Sequence, residues 1–195
     1  AGIINALHLV NKKAKDIKVV VFGAGAAAVA CAKMYKAFGV KNLVMFDSKG
    51  AISANRTDLN DLKKEFICQE NYASYKDALN GADVMLGLSK GNLLSGDDIK
   101  GMNESPLIFA LSNPTPEIMP DEVKKARPDA IVATGRSDFP NQINNVLGFP
   151  YIFKGALKVR ASKINEEMKF AAAYAIANLA REPITEELEK LLKKK

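Results

Sequence analysis

Gly23 and Gly25 stand two residues apart, directly after the apolar run Lys18–Phe22, and the small residues Ala26, Ala27 and Ala28 lead on into a helical pattern. Residues of these types in this order can hold a diphosphate with the main chain alone. Gly23 lets the backbone reverse tightly after a strand, and Gly25, lacking a Cβ, lets the main chain approach a pyrophosphate closely enough for amides to bond it. Ala28 takes the third small position, where a helix must pack on a strand and Gly or Ala serves. The anion would lie at the positive end of the helix that follows. A second apolar run, Asn42–Asp47 (NLVMFD), ends in a carboxylate about twenty residues beyond the glycines, where a ribose-binding acid is expected. Gly23, Gly25, Ala26, Ala27, Ala28 and Asp47 are therefore expected to bind a dinucleotide cofactor. Asp47 would accept from a free 2′-hydroxyl and repel a 2′-phosphate, so NAD is expected; NADP is the alternative, because Ser48 and Lys49 follow at once and could offset the repulsion. A turn that is small only for tight packing would need neither the strand before it nor the acid after it.

The elements that must position these residues alternate along the chain. Apolar runs predict strands over 18–22, 43–47, 82–88, 106–111 and 129–133. Helical patterns fall over 1–10, 26–38, 53–66, 73–79, 97–102, 121–126 and 160–181, with Gly39 closing the second. The strands are apolar throughout, not alternating, which indicates burial on both faces. The expected fold class is α/β: a doubly wound, mainly parallel Rossmann-type sheet with helices on both faces. Ligands of such sheets bind beyond the carboxyl ends of the strands, which brings Ser89, Asn113 and Thr134–Gly135 to the same rim as Gly23 and Asp47. Ser89 is a candidate for the cofactor ribose, although a helix-capping serine is an equal reading. Arg136 and Asp138 are expected to pair with each other, and 149–153 (FPYIF) reads as core or interdomain contact.

Composition narrows the class. The chain has 195 residues, 48% apolar and 26% charged, as expected of one globular domain, here placed at 1–181 with 182–195 a charged helix or tail. No apolar run approaches the ~20 residues that span a bilayer, and no leader pattern opens the chain, so no membrane partner and a cytoplasmic location are expected. The +6 net charge gathers at Lys193–Lys195 and on scattered lysines, without the aromatic-interleaved stripe of a nucleic-acid surface. Cys31 and Cys68 have no ligand or redox spacing and read as reduced packing residues. His8, the only histidine, lies far from polar clusters, which excludes a histidine metal site. The chain opens on a helical pattern without methionine or a cap, as if cut from a longer polypeptide.

Three segments together resemble the malic enzymes, in the bacterial form: GAGAAA at Gly23–Ala28, ALSNPTPEIMP at Ala110–Pro120 and ATGRSDFPNQINNVLGFPYIFKGAL at Ala133–Leu157. The likeness runs from Ala1 to about Ala180, and the second and third segments are far more specific than the glycine turn. The resemblance implies oxidative decarboxylation of malate to pyruvate and carbon dioxide with NAD or NADP and a divalent Mg or Mn. In that chemistry a metal polarises the C2 oxygen and stabilises the enolate, while a lysine and a tyrosine move protons. It also implies that the metal carboxylates, the lysine and the tyrosine belong to an N-terminal part outside this chain, so that no catalytic acid, base or metal ligand is assigned here and the isolated chain is expected to be inactive. The resemblance carries Asn113 over as a residue beside substrate and nicotinamide, and Asn145 as one that hydrogen-bonds malate. Both are neutral amides, able to donate to a carboxylate and accept from a hydroxyl without altering the charge balance of hydride transfer. Without the resemblance, Asn113–Pro114 reads as a turn and Asn144–Asn145 as a loop tip. The resemblance also implies that the complete enzyme is a homo-oligomer. The competing readings are a non-catalytic dinucleotide-binding sensor or interaction module, and the cofactor domain of another two-domain dehydrogenase, against which the asparagine segments argue.

Overall fold

A computed structural model describes residues 1–144 and 146–183, which fall into two compact units, 6–144 and 1–5 with 146–183. The larger unit is built on a six-stranded sheet of order β3-β2-β1-β4-β5-β6. Its strands are β1 (Lys18–Phe22), β2 (Asn42–Asp47), β3 (Gly50–Ala51), β4 (Val84–Gly87), β5 (Leu107–Ala110) and β6 (Ile131–Thr134). Helix α1 (Gly2–Leu9) precedes them, and α2 (Ala26–Ala37) connects β1 to β2. The short helices α3 (Asp61–Lys64) and α4 (Tyr75–Leu79) lie between β3 and β4, and α5 (Gly96–Ile99) and α6 (Pro120–Ala126) lead to β5 and β6. All pairings are parallel except β2 with β3, so the doubly wound α/β expectation holds, with an antiparallel edge.

Val19, Val20 and Val21 are fully buried although they point alternately to opposite faces, as strands covered on both sides require. Val20, Phe22, Met85 and Ile108 pack under Ala78, Leu79, Ile99 and Val123 of α4, α5 and α6. Crossovers are right-handed, so the reversal of winding direction at β1 places α2 on the opposite face, where Ala28 and Ala32 are fully buried.

Two expectations need correction. The helix read over 53–66 is only the four residues of α3. Gly50, at φ +120, turns β2 back into β3, and Cys68 amide and carbonyl then bond Ile52 and Ala54, which holds this stretch extended until Asn60 caps the helix through the Lys63 amide. In the smaller unit, 149–153 is not core. It opens a helix, α7 (Tyr151–Lys158), whose Tyr151 and Leu157 are exposed, followed by α8 (Glu166–Leu179), capped by Asn165 and shorter than the helix expected over 160–181. Within this unit Asn5 donates to the Ala177 carbonyl and accepts from Arg181. The tail expected over 182–195 lies, from residue 184 on, outside the described residues. No described helix is long and apolar enough to cross a membrane.

At the amino end of β4, buried Asp83 accepts from Lys12 Nζ at 2.8 Å, the Lys18 amide at 2.9 Å and Asn103 Nδ2 at 3.1 Å. Burial pushes its carboxyl up, but these three donors outweigh burial and hold it below the ordinary carboxylate range. Its stabilising contribution is therefore complete above that ordinary value and fades as pH falls through the lower folded-state value. Asp83→Ala, which strands Lys12 and the Lys18 amide, should cost about 2–4 kcal/mol. In urea titrations between neutral and acid pH, Asp83→Asn should lose less stability than the parent on acidification.

Candidate dinucleotide-binding site

The winding of the sheet runs one way from β1 to β2 and the other way from β4 to β6, so a crevice opens at the carboxyl ends of β1 and β4. Gly23 forms its floor. It has φ +115, its amide donates to the Phe46 carbonyl at 2.9 Å, and the Leu88 amide donates to the Phe22 carbonyl at 2.8 Å. A Cβ on Gly23 would overlap the Leu88 carbonyl oxygen and lie 2.9 Å from its carbon, so only glycine fits between the two strand ends. Gly25 is different. It caps α2 at φ −80, and among the described residues, its two chain neighbours aside, nothing lies within 4 Å of where its Cβ would be. No contact within the fold calls for glycine there, and the space in front of the helix is open. Ala26 and Ala27 are exposed on the first turn of α2, Ala28 is buried beneath, and no side chain caps the first amides.

In front of these amides lies a cleft of about 390 Å³, lined by Gly23, Gly25, Asp47, Lys63, Tyr75 and Ser89, with Ser48, Lys90 and Leu93 at its sides. Its size suits a ligand pocket. Tyr75 is fixed by edge-on contacts with the rings of Phe22 and Phe46, at 5.1 and 5.2 Å between centroids. Ser89 presents its side chain from the loop after β4, while its amide donates to Glu117 Oε1 at 3.0 Å.

Asp47 ends β2 at the rim, but both its oxygens are already engaged. Oδ1 accepts from Arg56 Nη1 at 2.7 Å and the Lys49 amide at 2.9 Å; Oδ2 accepts from Arg56 Nη2 at 3.0 Å and Lys63 Nζ at 2.6 Å. Burial pushes this carboxyl up, and the bonds from Arg56 and Lys63 overcome it and hold it well below the usual range. Arg56 also pairs with Asp58, which in turn pairs with Lys49 at 2.7 Å. Three cations thus meet two carboxylates, leaving one positive charge in excess beside the cleft.

Gly23, Gly25, Asp47 and Ser89 therefore share one cleft. Asn113 is exposed on the loop after β5 and is not among the lining residues, and Asn145 lies outside the described residues. Thr134 does not face the crevice: it is buried, and its hydroxyl accepts from the Arg136 amide at 3.2 Å. Arg136 and Asp138 pair at 2.6 Å. Arg56, Lys63 and Tyr75 had no motif to mark them. Their signals are local: the caps Asn60 and Ser74 fix where α3 and α4 begin and so where Lys63 and Tyr75 point. Cys31 and Cys68 are free thiols, and among the described residues no group of three or more His, Cys, Asp or Glu is placed to hold a metal ion.

A doubly wound sheet with a glycine turn and an open helix start at its switch point defines a dinucleotide-binding domain. The family model described as malic enzyme, NAD binding domain, matches residues 1–192, and the chain belongs to that family. It is 51% identical over 186 residues to the NADP-dependent malic enzyme of Halomonas elongata, covering 94% of this chain and 44% of that protein. It is 49% identical over 185 residues to the NAD-dependent malic enzyme of Rhizobium meliloti (strain 1021), covering 93% of this chain and 24% of that protein. The crystal structure of malic enzyme from Pyrococcus horikoshii Ot3 superimposes with a TM-score of 0.85 at 40% identity, covering 93% of this chain and 45% of that one. The chain thus spans from about a quarter to somewhat under half of the length of these relatives.

The two glycines should separate cleanly. Gly23→Ala, forced against Leu88 at positive φ, should cost more than about 2 kcal/mol of unfolding free energy, whereas Gly25→Val should stay within about 1 kcal/mol of the parent in urea titrations.

Proposed function

We propose that the chain binds NAD(P) with its pyrophosphate on the first-turn amides of α2, and serves as the cofactor-binding part of an enzyme that oxidises and decarboxylates malate. The observation that carries this reading is Gly25: a glycine that no protein atom requires, at an uncapped helix start, facing a cleft. A side chain there would occupy the place of the diphosphate. When bound, the nicotinamide supplies the carbon that accepts hydride from malate C2. The residues of this chain bind and orient: Gly23, Gly25, Ala26, Ala27 and Ala28 the pyrophosphate, Asp47 and its cations the adenosine ribose, Ser89 and Asn113 the nicotinamide half. Asn113 and Asn145 are proposed to hold malate by its carboxylate and hydroxyl. The described residues offer no carboxylate set for Mg or Mn, so this reading gives them orientation and no proton transfer.

The state of Asp47 bears on the choice of cofactor. With both oxygens engaged, it has to release Arg56 or Lys63 before accepting from a 2′-hydroxyl, and a released cation is then free for a 2′-phosphate. We therefore read the site as accepting NADP as well as NAD, with Lys63, which lines the cleft, as the phosphate partner.

Calorimetric titration of the chain with NADH and NADPH tests both parts. Gly25→Val should weaken both ligands at least about 100-fold, about 2.7 kcal/mol, by steric exclusion; unchanged affinity would remove the pyrophosphate from this turn. Lys63→Ala should weaken NADPH about tenfold and NADH less than about threefold, and Asp47→Ala should raise the preference for NADPH. Equal changes for the two cofactors in both variants would mean that the cluster at the end of β2 does not read the ribose.

A further inference from the structure

Glu117 lies between β5 and α6 and is fully buried. Among the described residues no lysine, arginine or histidine pairs with it; its two carboxylate oxygens are divided between two loops. Oε1 accepts from the Ser89 amide at 3.0 Å, just after β4, and Oε2 accepts from the Ser112 amide at 3.1 Å, just after β5. Gly87, the last residue of β4, leaves the room for it: a Cβ there would overlap Glu117 Cδ and lie 2.7 Å from Oε1.

The same two loops are joined at three further places. The amides of Asn92 and Leu94 donate to the carbonyls of Pro116 and Glu117, each at 2.9 Å. Gly91 is pressed against Thr115, where a Cβ would come within 2.6 Å of the threonine Cβ. Within the loop after β5 the Ser112 hydroxyl donates to the Thr115 carbonyl. The loop after β4 carries Ser89 and Lys90 into the cleft, and the loop after β5 bears Asn113, exposed and next to Ser112 in sequence. Of the contacts that set their mutual register, the Glu117 carboxylate is the one that binds the residues nearest the two strand ends.

Packing alone does not call for an acid in this position. A methionine or leucine would fill a similar volume without desolvating a charge, although it would leave two buried amides without acceptors. Glutamate can accept from an amide of its own loop and from one of the neighbouring loop at once, and burial pushes its carboxyl up.

We propose that Glu117 is a positioning residue for the nicotinamide half of the cofactor: it clamps the loops after β4 and β5 so that Ser89 and Asn113 are presented together. This rests on the cofactor reading above. A doubly wound sheet has two mononucleotide-binding halves, and Gly23, Gly25 and Asp47 belong to the half built on β1 and β2. The other half begins at β4. Loosening the clamp therefore affects one end of the dinucleotide and spares the other, which a general loss of stability would not do.

The test compares ADP with NADH on the 195-residue chain by calorimetry, using Glu117→Gln, in which the amide nitrogen cannot accept, and Gly87→Ala, which displaces the carboxylate. Both variants should bind ADP within about threefold of the parent and NADH about tenfold or more weakly, and the double variant should add little to either. The unsubstituted chain supplies a measurement independent of folding in the variants: NADH should shift the amide resonance of Ser112, and ADP, bound in the cleft that Ser89 lines, should not. Equal weakening of ADP and NADH, no weakening of either, or amide shifts that do not distinguish the ligands would overturn the positioning role and leave the cofactor reading standing. A parent chain that binds neither ligand would overturn the cofactor reading and this inference with it.

Discussion

The carbonyl of Leu88 occupies the space that any side chain on Gly23 would need, and the rest of the site follows from that close approach. Backbone meets backbone there because β1 lies between β2 and β4: the Gly23 amide bonds Phe46 on one side while the Phe22 carbonyl is bonded by Leu88 on the other. The chain must then leave the sheet at positive φ, and it does so directly into α2, which points the first amides of that helix out over the strand ends. Ala28, fully buried, lets the helix sit close enough for this to happen. Steric exclusion at Gly23 and open space at Gly25 are thus two parts of one arrangement. The first belongs to the fold, and the second is the space proposed above for a diphosphate.

Charge at the rim is organised on a different principle. An acid at the end of β2 is commonly read as a free acceptor, but Asp47 is nearly enclosed and takes two bonds from Arg56 and one from Lys63. Solvent-exposed ion pairs contribute little, and the outer pair of Lys49 with Asp58 is of that kind. The inner pairs are sheltered, and their geometry fixes the loop from Gly50 to Lys63, which has almost no regular structure of its own. On the reading proposed above, the same contacts that fold this loop also set what a ribose meets on arrival, which couples cofactor preference to local folding through Arg56.

How far the sequence foretold this follows from which features are local. The β1 turn and α2 were legible because glycine spacing, apolar runs and helix patterns act within a few residues of one another. The doubly wound class and the shared rim of Gly23, Asp47 and Ser89 were legible because crossover handedness leaves few alternatives. The stretch over 53–66 was misread because its apparent helical pattern is overridden by tertiary contacts: Cys68 pairs it against Ile52 and Ala54, and Arg56 is drawn to Asp47. No periodicity encodes a bond between residues that far apart. Of the two readings of 149–153, core or interdomain contact, exposure of Phe149 and Tyr151 removes the first, since apolar character does not say which face of a short helix has a neighbour. Glu117 passed unnoticed in a proline-rich segment because its meaning depends on Gly87, thirty residues earlier in the chain.

That same glutamate separates what stabilises the fold from what shapes the site. Its carboxyl is raised by burial, so the folded chain favours the protonated form, and the contribution of the group to stability declines as pH rises through its folded-state value. Asp83 and Asp47 behave in the opposite sense, being held low by their donors, and their contribution is complete at neutral pH. The acids at the amino end of β4 and the carboxyl end of β2 thus gain stability on ionising, while the one beneath the loops after β4 and β5 loses it. A buried carboxyl that burial pushes up, and that accepts from backbone amides of the loops after β4 and β5, fits the positioning role proposed above. Departures from the local rules of folding are expected to gather where a site must be shaped, and the Gly87–Glu117 contact is such a departure.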